Sequence, residues 1–241
     1  MGKYLVYGLI PARGGSEGLP GKNAKSLRGQ PLISYIIRSA LFAKELNSVF
    51  VSTDSEKIAR IAEKSGVEAI IHPAEFSTPT APTFGVVRNA VGVLKKRGVY
   101  PDVMVTMRPT SPLCLPEDIN RAVRLLLRQP RIDSVISVTK SDNHPFRVLK
   151  INQRGELEHF DKRSTERNFP KRRQSFGDVY VRNGAIYATR THIIESGSLW
   201  GEHSLPYFMP KERSVNINDE IDFLLAESLL TKSKDTKSQS R

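Results

Sequence analysis

The chain has 241 residues, 39% of them hydrophobic, with 37 Lys and Arg against 25 Asp and Glu, a formal net charge of +12 and a single cysteine. That length can bury one sizeable core. One cysteine excludes an intrachain disulfide and fits a reducing cytoplasm, and no run approaches the roughly 20 apolar residues that span a bilayer.

The elements follow in chain order. Residues 4–10 (YLVYGLI) form a continuous apolar run, as a buried parallel strand requires. Pro31 opens a helix whose apolar face takes Leu32, Ile33, Ile36, Ile37, Ala40 and Leu41. A strand at 49–52 leads to a helix at 55–64, with Thr53 as its cap and Gly66 as its left-handed stop. A strand at 68–71, a helix at 83–97 and a strand at 102–107 come next, then a helix from Pro116 and a strand at 134–138. This alternation predicts an α/β domain, three layers around a mostly parallel sheet. After about residue 141 the rhythm breaks into a polar, strand-rich excursion. The chain then returns through strands at 179–188 and 214–217 to a closing helix at 219–230. The expectation is one domain over 1–230 with an inserted arm at about 141–178, and a polar, disordered tail at 231–241.

The positive charge is local. The stretch 162–173 holds six basic residues and one acidic residue, and 232–241 holds four and one. The rest is only mildly basic. The arm has few aromatics for base stacking and no recognised nucleic-acid module occurs, so neither nucleic acid nor membrane is expected as a partner.

The stretch IPARGGSEGLPGKN at 10–23 directly follows the first strand. Loops leaving the C-terminal ends of strands bind ligands in open α/β sheets. Glycines let backbone N–H groups approach an anion, and Arg13 and Lys22 add full charges on either side. The glycines fall at 14, 15, 18 and 21 and Lys22 precedes Asn23, which fits neither a Walker A loop nor a dinucleotide loop.

ARGGSEGLPGKN resembles the signature of the acylneuraminate cytidylyltransferases, which activate sialic acid and related nonulosonic acids with CTP. VSTD at 51–54, HPAEF at 72–76, RPTSPL at 108–113, HP at 144–145, RNGAIY at 182–187 and NINDEID at 216–222 follow in the same order. The resemblance covers roughly residues 4–230. It implies a Rossmann-like nucleotidyltransferase fold and a homodimer whose arm reaches over the partner's site. It also implies Mg²⁺, and a reaction in which a hydroxyl of a nine-carbon sugar acid attacks the α-phosphate of CTP to give a CMP-sugar and pyrophosphate.

Residue by residue, the resemblance makes Arg13 and Lys22 the catalytic cations. Ala12, Gly14, Gly15, Ser16, Asn23, His72, Ala81 and Thr83 become nucleotide-binding residues. Arg108, Thr110, Ser111, Asn183 and Tyr187, with Arg173 and Gln174 on the arm, become sugar-acid residues. Cys114 is expected to be a small semi-buried side chain, and Glu17 stands where the family often has lysine. Asn216 and Asn218 occupy the positions of a D-x-D metal pair. Alternation aims both at one point, but amides bring oxygen without charge, and Asn218 has an alternative role as the cap of the last helix. Alternative readings are transfer to an eight-carbon Kdo-type acid, a non-catalytic relative and, remotely, a nucleic-acid-binding protein.

Overall fold

The structure, a computed structural model, describes residues 4–15, 18–78, 82–162 and 177–238. Ser16, Glu17, Ala81, Arg173 and Gln174 lie outside the described residues.

β1 (Val6–Pro11) is the first apolar run, and its alternation separates two cores. Val6 and Ile10 enter one and Leu9 the other. The first core is covered by α1 (Leu32–Leu41), α2 (Glu56–Lys64) and α4 (Pro116–Leu127), through Ile33, Ile37, Ile58, Ile119 and Val123 among others. The second is covered by α3 (Thr83–Lys96) and α5 (Thr191–Glu195), through Val87, Val91, Leu94 and Ile194. Helices on both faces of one sheet give the three layers expected.

β4 (Ser48–Thr53) and β5 (Glu68–Ile71) extend the sheet on one side of β1, and β6 (Val103–Met107) on the other. The seven-stranded order is β11-β7-β10-β6-β1-β4-β5, where β7 is Ser134–Lys140, β10 is Tyr180–Arg190 and β11 is Ser204–Phe208. The pairings β1–β4, β1–β6, β4–β5 and β7–β11 are parallel, and β10 runs antiparallel to both its neighbours. The chain leaves β1 toward β4 and returns to β1's other edge with β6. The strand order therefore reverses between β1 and β6, the point where open α/β sheets form their binding crevice.

Two short hairpins fill the loops. β2 (Ser26–Leu27) pairs with β3 (Gln30–Pro31) across Arg28 and Gly29, both at positive φ, the signature of a tight two-residue turn. β8 (Leu149–Ile151) pairs with β9 (Leu157–His159) apart from the main sheet. Among the described residues, the stretch expected as an excursion thus carries a separate small sheet.

Several expectations change. Ser55, not Thr53, caps α2: its hydroxyl accepts from the Ile58 N–H, while Thr53 accepts from the Ser55 N–H. Residues 214–217 form no strand. Val215 and Ile217 are buried by alternation, and the Ile217 N–H donates to the Thr110 carbonyl at 2.9 Å, without the ladder of a strand. β11 was not anticipated. It pairs on one side only, as an edge strand containing Pro206 can. The last helix, α6 (Glu220–Ser238), runs into the stretch read as a polar tail.

A third core decides where the loops sit. Leu19, Leu27, Leu32, Leu113, Val215, Ile217, Phe223 and Ala226 pack together. This cluster ties the glycine loop, the loop after β6, the 215–217 segment and α6 into one unit beside the switch point.

Candidate active site

The loop after β1 is placed by close backbone contacts. A Cβ on Gly14 would come within 2.8 Å of the Ser55 Cβ, and one on Gly18 within 2.5 Å of the Asn218 carbonyl oxygen. Only glycine lets the loop lie against both α2 and the 214–218 segment. The Gly14 N–H donates to the Asp54 carboxylate at 2.7 Å.

Between the C-terminal ends of β1 and β6 lies a cleft of about 290 Å³. It brings together Ala12, Arg13, Lys22 and Asn23 from the glycine loop, His72 after β5, Thr83 at the start of α3, Arg108 and Thr110 after β6, and Asn216 and Asn218. All ten are residues the sequence reading selected. Phe76 and Val86 also line the cleft and were missed. Phe76 lies within the HPAEF stretch, and Val86 lies one helical turn beyond Thr83. The available signal was the aromatic at the end of that quoted stretch.

Three cations meet here. The Arg13 guanidinium donates to the Thr78 carbonyl at 2.9 Å, and the Lys22 ammonium to the Ile217 carbonyl at 3.2 Å. Arg108 lies over the Tyr187 ring, 5.9 Å from its centroid. Burial, and then the neighbouring Arg13 charge, lower the Lys22 pKa from its ordinary value, while Asp222 and Asp219 oppose the shift. Among the described residues no carboxylate lines the cleft.

Asn23 is 5% exposed. Its Nδ2 donates to the Arg13 carbonyl at 2.9 Å, which fixes the amide, and its buried Oδ1 has no partner. A bare carbonyl oxygen needs a donor, so it suits a hydroxyl or amine of a ligand rather than a phosphate oxygen. His72 is held at both nitrogens, Nδ1 by the Ser52 hydroxyl at 2.8 Å and Nε2 by that of Ser77 at 2.9 Å. Burial lowers its pKa, against an opposing pull from Asp54.

A second cleft of about 220 Å³ shares Thr83 and Arg108 with the first, and adds Phe84, Arg182, Tyr187, Leu199 and Trp200. It is walled by rings and capped by two guanidiniums, Arg182 lying 5.4 Å from the Trp200 centroid. Tyr187 therefore faces a cavity. Asn183 and Ser111 line neither cleft. Asn183 is engaged by Ser137, Ser214 and Met209 and braces an irregularity of β10, where Gly184 takes positive φ beside Arg108. Ser111 is 1% exposed, with its hydroxyl unpaired. Gly15 has open space where a side chain would stand. Cys114 is fully buried rather than semi-buried, and burial pushes its thiol pKa far up, so it is inert.

The 214–218 segment is anchored from behind. Asp118, 2% exposed, accepts from the Leu115 N–H, the Tyr207 hydroxyl and the Arg213 guanidinium. On the cleft side, the Thr110 hydroxyl donates to Asn216 Oδ1 at 2.6 Å, and Asn218 Nδ2 donates to the Asn216 carbonyl. The cap of α6 is Asp219, whose carboxylate accepts from the Asp222 N–H, rather than Asn218. Among the described residues no group of three or more His, Cys, Asp or Glu could hold a metal. The donor set at 216 and 218 does not fit the carboxylate pair that Mg²⁺ favours. Among the described residues, too, no helix is long and apolar enough to cross a membrane.

The chain is similar to known proteins over most of its length. The chain is 34% identical over 231 residues to an N-acylneuraminate cytidylyltransferase of Escherichia coli, covering 94% of this chain and 52% of that protein. It is 34% identical to N-acylneuraminate cytidylyltransferase A of Danio rerio, over 92% of this chain and 50% of that one. The chain thus spans about half the length of these relatives. It is 32% identical to a CMP-N,N'-diacetyllegionaminic acid synthase of Legionella pneumophila, over 93% of this chain and 96% of that one. Among solved structures, a CMP:2-keto-3-deoxy-manno-octonic acid synthetase complexed with CTP shares the fold. Its TM-score is 0.72 at 16% identity, covering 95% of this chain and 99% of that one. The family described as cytidylyltransferase matches residues 7–229, and the chain, with its cationic cleft at the β1–β6 switch point, belongs to it.

Proposed function

We propose that this protein joins CTP to a nonulosonic acid, a nine-carbon α-keto acid sugar, giving a CMP-sugar and pyrophosphate. The observation that carries this is the convergence of Arg13, Lys22 and Arg108 in a cleft that shares Thr83 and Arg108 with a second, ring-walled cleft. The first has the charge for a triphosphate. The second has guanidiniums for a carboxylate and rings for the apolar face of a sugar.

In this reading a sugar hydroxyl attacks the α-phosphorus. The new P–O bond forms as the bond to the β-phosphate oxygen breaks, and the hydroxyl proton is released. Arg13 and Lys22 bear on the triphosphate and stabilise the charge that builds on the departing pyrophosphate. Such transfer needs positioning and electrostatics more than covalent help from the protein. Asn23 accepts from a ligand hydroxyl or amine, and Thr83 and the apolar Phe76 and Val86 border the nucleotide. Thr110 and Arg108 stand between the two ligands, and Tyr187 lines the sugar side. Asn183 and Ser111 act through the fold behind them.

A homodimer belongs to the same reading. Leu149, Ile151, Leu157 and Phe160 on the β8–β9 arm are exposed, as are Tyr180, Val181 and Phe208 nearby, which suits a second copy of the chain as their cover. Arg173 and Gln174, on the arm, are proposed to reach the sugar acid.

The test is pyrophosphate release from CTP with a panel of sialic, legionaminic and eight-carbon acids, and identification of the CMP-sugar formed. No product from any acid overturns the reading. Turnover of the eight-carbon acid alone replaces the substrate class.

A further inference from the structure

We infer that residues 216–222 build no divalent-metal site, and that the fixed cations of the cleft take the nucleoside triphosphate directly, a divalent ion entering there only on the nucleotide's phosphates. The inference rests on the reading of the cleft as a triphosphate site.

The donor set carries it. At the two positions where a carboxylate pair would hold metal there are amides, and one is already engaged: Asn216 Oδ1 accepts the Thr110 hydroxyl proton at 2.6 Å. The Asn218 amide is fixed by its Nδ2 on the Asn216 carbonyl at 3.0 Å. The carboxylates next in sequence hold backbone. Asp222 accepts from the Asn218 N–H at 2.8 Å, and Asp219 from the Asp222 N–H at 3.0 Å. Both bonds secure the start of α6 and fix each carboxylate there through one oxygen, Asp222 by Oδ2 and Asp219 by Oδ1.

A cation is also already seated there. The Lys22 ammonium lies on the carbonyl of Ile217, the residue between the two asparagines. A dication bound by residues 216 and 218 would face that ammonium, with Arg13 and Arg108 lining the same cleft. Mg²⁺ gives up its water reluctantly and does so for carboxylate and phosphate oxygens. Two neutral amides beside three cations offer it less than water does.

The same arrangement serves the anion. A carboxylate pair repels a triphosphate until metal bridges them, whereas amides repel nothing. Metal-free CTP therefore meets three positive charges and, among the described residues, no lining carboxylate.

The experiment uses the full chain and two readouts independent of turnover. Mn²⁺ binding to the nucleotide-free protein is followed by electron paramagnetic resonance, and CTP binding is followed by calorimetry in EDTA and in Mg²⁺. The expected results are no stoichiometric Mn²⁺ site at submillimolar concentration, and CTP binding retained in EDTA. The variant carrying Asn216→Asp and Asn218→Asp should gain a Mn²⁺ site and lose metal-free CTP affinity by on the order of tenfold, as added like charges at partly screened distance require. Asn218→Asp alone should do the same to a smaller extent if the double variant folds poorly. One Mn²⁺ bound per wild-type chain, or CTP binding only with Mg²⁺, overturns the inference. No CTP binding in either buffer overturns the nucleotide reading beneath it instead.

Discussion

Arg13 and Lys22 leave the same loop and are each steadied by a backbone carbonyl from elsewhere in the chain, Thr78 and Ile217. Neither side chain fills a core, so truncation should cost activity and not stability. Arg13→Ala and Lys22→Ala are each expected to lose about 2–4 kcal/mol of transition-state stabilisation, the scale of removing one oriented contact to developing charge. Their melting temperatures should stay near wild type; equal losses of activity and fold would instead make them structural. His72 makes a prediction about pH. Its folded pKa lies below the ordinary 6.5, with burial the first cause. The folded state therefore holds fewer protons than the unfolded state just below pH 6.5. The stability this group contributes is complete above that pH and is lost as pH falls through the lowered folded value. Denaturant midpoints measured from pH 7.5 to 5 should decline in wild type and decline less in His72→Gln.

At the scale of elements, the glycine loop and the 214–218 segment are fitted to each other through Gly18. A methyl group there meets the Asn218 carbonyl oxygen, a backbone atom that cannot swing aside. Gly18→Ala is expected to cost about 1–3 kcal/mol as overpacking and to lower CTP affinity, because Lys22 and Ile217 separate when the loop shifts. Unfolding curves and CTP titrations on one preparation check both, and unchanged values would mean that the loop does not rest on the segment. The helices α1 to α4 and the strands β1, β4, β5, β6 and β7 were legible in sequence because their signals are local. The apolar run of β1, the faces of α1 and α4, and Gly66 as a left-handed stop all follow from nearest neighbours. β11 was not legible, because Pro206 masks a strand that needs only one bonded edge. Residues 214–217 read as a strand because Val215 and Ile217 alternate with Asn216 and Asn218. That alternation is real, yet the third core and Thr110 enforce it without a ladder. In the cleft, the charged and hydroxyl residues were legible from the motifs. Asn183 was not separable from its neighbours, because only the fold shows its amide spent on Ser137 and Ser214.

For the whole molecule, the exposed apolar residues of the β8–β9 hairpin and of Tyr180, Val181 and Phe208 predict association. Light scattering at micromolar concentration should give the mass of a dimer, and Leu157→Asp with Phe160→Asp should shift it toward monomer. A monomeric wild type would leave those side chains without the proposed cover.

The point where the arm departs has its own consequence. Lys140 and Tyr180 are register partners, and the Ser141 N–H donates to the Val179 carbonyl at 2.9 Å. The chain thus leaves the sheet and re-enters it within one rung of the same ladder. By connectivity the arm is an insertion between two paired positions of one antiparallel ladder. The arm is therefore expected to be replaceable without loss of the sheet. Replacing residues 142–178 with a two-residue Asn-Gly turn joins β7 to β10 directly, and the entropy of closing the shorter loop is the smaller one. The product should be a folded, monomeric core that still binds CTP, measured by circular dichroism, mass and calorimetry.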